Sequence, residues 1–488
     1  MRTVLLLAAA ACATAPRPRP DKSRLEPLLL EAIRFPTVAG DEEARLGQQQ
    51  WLLRTAASLG LTARDAGPVT EVELPGPPGA PVLGLVVHGD VQPVDASQWT
   101  VPPFAGVARS GVVYGRGAAD DKGPLVQALL AMHAVRDLPR THTVRLLVGS
   151  DEESGSTDIG VYLKSHAPPT YSLVLDSEFP VVVGEKAWDG LGVVPADLDP
   201  GSGKPWGIEE IDAGLAASIV PDRARLTLRW REGAPAWDAL EQRLRSRTPD
   251  AGTRLELARR AGLLDVVVYG RAAHAGVNVE GGRNALVSLA HVVSGELPDC
   301  ALADLLAFAA HAGADLHGKS LGLDAFAEPG WGGWTVNVAT VRKEPRLDGQ
   351  LGLVINLRRP PPLDAARSKE RLFAEVRKFS PRLLPAEYYL KDEPLVFDRN
   401  AKLVRRLMDI YARTTGERPP EAISGGGTYA KRLPDSIAFG MWFPGKPYPG
   451  HDVDEKVELA DLERGFDVLV ETLRELAGGP PLRDPLLP

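Results

Sequence analysis

Cysteine is almost absent: Cys12 and Cys300 are the only two in 488 residues, so no disulfide framework can hold this chain together. Blocks of lysine or arginine are missing too. The 56 basic and 64 acidic residues are mixed along the whole length, for a net charge of -8, and a phosphate backbone finds no electrostatic footprint. Nucleic acid is excluded as the expected partner. No run beyond the extreme N-terminus approaches the ~20 apolar residues of a membrane span, and no internal repeat is evident. A phosphate loop is also lacking, because Gly425-Gly426-Gly427-Thr428-Tyr429 has neither the lysine nor the spacing for one. Its glycines predict a close backbone approach near a site, or a turn.

What is present is the composition of a folded protein, at a length that exceeds one hydrophobic core and suits two or three domains. Met1-Arg2-Thr3, the apolar residues 4–11 and the small residues around Cys12 have the pattern of an export signal ending in a lipoprotein attachment box. This predicts a cell-envelope or periplasmic location with lipid anchoring at Cys12. The segment is short for a signal, and a mis-assigned start with a cytoplasmic protein is the alternative.

After Pro16-Arg17-Pro18-Arg19-Pro20, which predicts an extended linker, Leu25, Leu28, Leu29 and Ile33 recur at helical spacing. Strands and helices then alternate: 82–87 and 143–148 as strands, 124–135 as a helix, 171–175 as a strand. That alternation predicts an α/β fold, a mainly parallel sheet covered by helices. Past Glu185 the texture turns glycine-rich and irregular, with Pro195, Pro200, Gly201, Gly203 and Pro205. Period-two runs follow at 224–230, 263–269 and 351–357, with helices expected at 285–293 and 301–310, and predict an α+β unit. A helix over 403–411, a buried strand over 436–443 and an amphipathic helix over 459–476 complete the pattern.

Chemistry-bearing residues cluster where apolar runs end: His88 and Asp90, Asp120 and Asp121, Glu152 and Glu153, Asp176, and His451. In an open α/β sheet the loops past the carboxyl ends of the strands share one crevice. Two imidazoles and several carboxylates gathered there would make a metal site. Each group alone has an ordinary explanation: a loop histidine at 88, an N-cap with Pro124 in the first turn at 120–124, acids favouring a helix dipole at 151–153. Their joint occurrence is what favours the metal reading. Asp90 stands where a carboxylate can take the second ring proton of His88. Of neighbouring acids such as Glu152 and Glu153, one can bind metal while the other serves as general base. Because His451 must reach the same crevice as His88, the expected domains are 21–185 and 392–476 as one catalytic unit and 186–391 as an inserted lid. Residues 1–20 are then signal and linker, and 477–488 a tail. His274, among small residues at 270–276, is either a ligand-facing or a surface histidine. Arg358, ending a strand, could hold a carboxylate in bidentate fashion or be solvated. His133, His142, His166, His291, His311 and His317 have no such setting.

Together these blocks resemble the M20 metallopeptidases, and within them the PepV-like dipeptidases related to carnosine-cleaving enzymes. The resemblance runs from about 25 to 476. It rests on His88-Gly89-Asp90-Val91, Gly115-Arg116-Gly117 leading to Asp120-Asp121-Lys122-Gly123-Pro124, 151–155, Asp176 with Phe179-Pro180, Gly184-Glu185-Lys186, 425–430, and His451 with Glu455. It implies two divalent metal ions, zinc first and manganese or cobalt as alternatives, bridged by Asp120. His88 and Asp176 would complete one site, Glu153 and His451 the other. Glu152 would be the general base and Asp90 the support of His88, with a cis peptide after Asp120. His274 would meet the oxyanion and Arg358 the substrate carboxylate. The implied partner is a small peptide, and the large insertion is compatible with a monomer. Ser218 departs from the pattern, since an asparagine usually precedes Val-Pro-Asp there, which leaves dipeptide specificity less secure than hydrolysis. The competing readings are an N-acyl amino acid deacylase with the same ligands and a noncatalytic metal- or peptide-binding envelope protein.

Overall fold

The computed structural model describes residues 20–481 except 232, 234–235, 324–329 and 362. The expected signal and linker up to residue 19, with Cys12, and the end of the tail from 482 lie outside the described residues. No helix among those described is long and apolar enough to cross a membrane.

The first sheet has six strands in the order Thr62–Asp65, Thr70–Leu74, Thr143–Gly149, Val82–His88, Tyr171–Val174, Ser436–Ala438. The last four run parallel, and only the first two are antiparallel additions at one edge. Parallel strands covered on both faces must be apolar throughout, and Leu83, Leu85, Val86 and Val87 are fully buried. Helices Leu25–Ile33, Glu42–Ser58, Lys122–Val135, Lys402–Thr415 and Leu459–Gly478 pack most of the remaining core around it. The chain is thus an α/β protein with a mainly parallel sheet covered by helices. The last helix runs to Gly478, and Ala477 still packs in the core.

A second, eight-stranded antiparallel sheet is built from strands between Ala187 and Asp392. With helices Ala285–Val293, Ala301–Ala312 and Ala365–Phe379 it encloses a separate apolar cluster. Here the expected irregular stretch is ordered: Ala187–Pro195 is an interior strand between Leu351–Arg359 and Leu383–Asp392. Its Gly190 and Gly192 hide the strand pattern because Tyr389 and Leu347 cover the faces where side chains would project, at 2.7 and 2.5 Å from the missing Cβ positions. The strand expected over 436–443 is also different. It breaks at Gly440, which has φ 71°, so that Ser436–Ala438 joins the main sheet while Met441–Trp442 pairs with Ser177–Glu178 in a separate ribbon.

Candidate metal centre and active site

Three parallel strands deliver candidate site residues as their order dictates. His88 is the last residue of Val82–His88, Glu152 and Glu153 lie in the loop past Thr143–Gly149, and Asp176 follows Tyr171–Val174. Two groups expected at strand ends arrive otherwise. Asp120 comes from the turn that starts helix Lys122–Val135, and His451 from the loop between Met441–Trp442 and Lys456–Glu458. His451 holds a left-handed backbone, φ 62°, which is uncommon for a side chain with a Cβ and recurs at functional positions.

The Asp120 carboxylate stands between the two histidines. Its Oδ1 is 2.9 Å from His88 Nε2 and its Oδ2 is 3.2 Å from His451 Nε2. Behind His88 lies Asp176, 3.8 Å from the same ring nitrogen; behind His451 lies Glu153, with both oxygens 3.1 Å from Nε2. Ligand atoms of His88, Asp120 and Glu153, and likewise of His88, Asp121 and Asp176, fall within 4.8 Å of one another. The Asp120–Asp121 peptide is cis. Buried Glu455 holds the turn by accepting the amides of Ala119 and Asp120 at 2.9 and 3.1 Å and Arg116 at 2.6 Å.

Asp90 stands beside His88, as expected, and holds a second loop as well. The second ring nitrogen of His88 faces the backbone oxygen of Asp90 at 3.0 Å, nearer than its carboxylate at 3.5 Å. The carboxylate is also turned to the next loop, where it accepts the amides of Glu152 and Glu153 at 3.2 and 3.0 Å. Two strand ends are thereby tied together.

Burial and then the neighbouring Asp121 and Asp120 push the Asp176 carboxyl well above the usual range. Burial, with Asp120, does the same to Asp121, whose Oδ1 has no hydrogen-bond partner. Burial works against a charge on His451, yet Glu153 and Asp120 raise it to about 10. Acids crowded in this way repel one another unless cations lie among them. Imidazole nitrogens and carboxylate oxygens are donors that suit zinc, manganese or cobalt, so the residues present fit a pair of divalent ions. Glu152 is pushed up to about 8, first by burial, with Lys391 and His88 pulling it down and Glu153 and Asp90 adding repulsion.

The antiparallel domain reaches the same place. His274 sits with its ring 4.5 Å from that of His451, centre to centre. Its Nδ1 accepts the amides of Gly276 and Val277 at 3.0 and 2.9 Å, which leaves the ring proton on Nε2. Burial first, then His451 and Arg358, hold its pKa well below the ordinary value, so the ring stays neutral. Arg358 is buried, donates Nε–H to Asn356 at 3.1 Å, and lines one cavity with Glu152, His274 and His451. Burial lowers it to about 10, still cationic at neutral pH. The glycine run at 425–427 meets this domain backbone to backbone, and a Cβ on Gly425 would collide with the carbonyl oxygen of Gly276. Arg271 and Asp452 close the seam with an ion pair at 2.7 Å. The remaining histidines find other partners, such as Tyr171 for His142 and the Trp334 carbonyl for His317.

Sequence reading missed two groups here. The Tyr448 hydroxyl donates to Asp120 Oδ2 at 2.5 Å. Gln92 Nε2 donates to Glu153 Oε2 at 2.9 Å and to Ser218 Oγ at 3.0 Å, so the atypical Ser218 does border the centre. Their only signal was proximity in sequence, Gln92 to Asp90 and Tyr448 to His451.

A ligand cage of this kind, set at the carboxyl ends of parallel strands and roofed by a second domain, defines the chain as a metal-dependent hydrolase. The sequence profile of peptidase family M20/M25/M40 matches residues 84–475. The chain belongs to that family. It is 31% identical to "Putative dipeptidase YtjP" of Bacillus subtilis (strain 168) over 408 residues, 82% of this chain and 84% of that protein. Among solved structures it resembles human carnosine dipeptidase 1, with a TM-score of 0.56 at 13% identity, covering 92% of this chain and 95% of the other. The di-peptidase Dug1p from Saccharomyces cerevisiae gives 0.57 at 15% identity, covering 93% and 95%. These two likenesses concern the fold.

Proposed function

We propose that the protein is a dipeptidase that holds a short peptide between the two domains and hydrolyses it with two zinc ions bound at Asp120. The observation that carries this reading is the Asp120 carboxylate, whose two oxygens face different histidines at 2.9 and 3.2 Å. In this reading His88 and Asp176 complete one metal site and Glu153 and His451 the other. Residues 21–185 and about 393–478 form the catalytic domain, and 186–392 the lid, since Asp392 ends a strand of the lid sheet and the last helix runs to Gly478. The metals would polarise the scissile carbonyl and make a neighbouring water more acidic.

Glu152 takes the proton from that water and returns it to the leaving amine, a role suited by an acid pushed up to about 8. The water oxygen forms the new bond to the carbonyl carbon as the carbon–nitrogen bond breaks. His274, neutral with its proton on Nε2, donates to the oxyanion. Arg358 pairs with the free carboxylate of the substrate. The dipeptidase name of the Bacillus subtilis relative and the fold shared with carnosine dipeptidase 1 support the substrate class.

Glu152→Gln tests the mechanism: turnover of alanyl-alanine is expected nearly to vanish while metal content, measured by mass spectrometry, stays unchanged. Full activity in that variant would remove Glu152 from the reaction. Hydrolysis of N-acetyl-alanine in preference to alanyl-alanine would replace the dipeptidase reading with a deacylase one.

A further inference from the structure

The cavity between the domains is lined by acids and cations alike, Glu152, Glu153 and Asp392 with Arg358, Lys391 and Arg432, and two of those cations stand outside its ion pairs. Strand Leu383–Asp392 lies at the edge of the lid sheet and pairs with Ala187–Pro195. Trp188 faces Asp392 across that pair, but Asp189 faces Leu390. Lys391 is therefore the extra residue of a bulge, a device that re-aims a side chain and recurs beside active sites. It lines the same cavity as Glu152, Ser218, His274, Arg358 and His451. On its other side Trp188 faces Arg358, so the two cations spring from strands flanking the same tryptophan, about 10 Å apart at the backbone.

Other cations nearby are already matched. Arg432 pairs with Asp392 at 2.6 Å. Lys431 donates to the Lys186 carbonyl at 2.5 Å, and Lys186 to that of Gly333 at 2.7 Å. Neither Lys391 nor Arg358 has an ion-pair partner among the described residues. Glu152 shares the cavity with them, at no ion-pair distance from either.

We propose that Lys391 is a specificity-determining residue and that the protein prefers dipeptides with an acidic C-terminal residue. Arg358 takes the main-chain carboxylate, and Lys391 takes the side-chain carboxylate. Arg and Lys carry their charges on long, flexible stems, so a residue bearing two carboxylates would be shared between two cations that line one cavity. A peptide with the neutral amide in place of the second carboxylate leaves the Lys391 ammonium without its anion, which sets acid against amide. This inference rests on the dipeptidase reading.

The test compares alanyl-aspartate with alanyl-asparagine, a near-isosteric pair, on the metal-loaded full chain. The expected ratio of kcat/KM favours the acid by roughly ten-fold or more, the scale of a hydrogen bond to a charged group. Lys391→Met should bring the ratio close to unity, and Lys391→Glu should invert it. A wild-type ratio near unity, or a ratio that Lys391→Met leaves where it was, would overturn the proposal. Affinities of both dipeptides are measured in parallel by calorimetry. If neither were cleaved, the dipeptidase reading would fall by itself; equal affinities would sink the assignment of Lys391, and tighter binding of alanyl-aspartate would sustain it.

Discussion

Asp90→Asn separates two ways in which one aspartate can serve a metal centre. The carboxylate receives the backbone amides of Glu152 and Glu153 at 3.2 and 3.0 Å, while the ring of His88 leans on the Asp90 backbone oxygen at 3.0 Å. Asparagine keeps that backbone oxygen and very nearly the same volume. Its side chain, however, has one acceptor and one donor end, so whichever way it turns one of the two amides faces a donor. A hydrogen bond to a charged group contributes about 1.5–3 kcal/mol, and about that much holding energy leaves the loop that presents both acids. A loop shifted by a fraction of an ångström misplaces Glu152, the proposed proton acceptor, and kcat is expected to fall roughly ten- to a hundred-fold. Metal content should hold, because His88 keeps its tautomer. Steady-state hydrolysis of alanyl-alanine and metal analysis on the same sample measure both. Wild-type kcat would show that Asp90 does not hold the loop, and loss of one metal ion would show that its carboxylate acts through His88 after all.

Gly425→Ala is expected to push the lid off the catalytic domain, since the added methyl meets the Gly276 carbonyl; kcat/KM should fall by about two orders of magnitude, with circular dichroism unchanged, and an active variant would refute the seam. The metal-stripped protein should lose stability as pH rises. Glu152 titrates near 8 when folded against an ordinary 4.5, and His451 near 10 against 6.5, so both bind more protons folded than unfolded between those values. Stability is then fullest at the acid end and declines upward through the window. Melting temperatures of stripped protein should drop between about pH 5 and about pH 9, and added zinc should restore most of the loss at the upper end. A flat profile would mean that these groups are not buried together.

Much of this centre could be read from local pattern. Buried parallel strands announce themselves as apolar runs, and the residue after such a run lies at the crevice, which located His88, Glu152, Glu153 and Asp176. The approach to Asp120 and His451 was less legible, because a helix start and a loop carry no periodicity that tells where they lead. Tyr448 and Gln92 escaped for the same reason, since each bonds a partner remote in the chain, and Lys391 enters the cavity only through a bulge against a distant strand. Glycines misled at 187–195, where the space they leave is filled by Tyr389 from the neighbouring strand and Leu347 from a helical turn.

The one-dimensional order of residues determined the strands and helices, the acid and imidazole donors, and the likeness to a metallopeptidase family, because periodicity and side-chain chemistry are local properties. Only the folded chain decided that one carboxylate at 120 meets histidines at 88 and 451 on opposite oxygens, that Asp90 ties two loops as well as standing beside the His88 ring, and that a lid residue joins them. Those are distances between groups hundreds of positions apart, set by how two cores pack, and no local pattern encodes them.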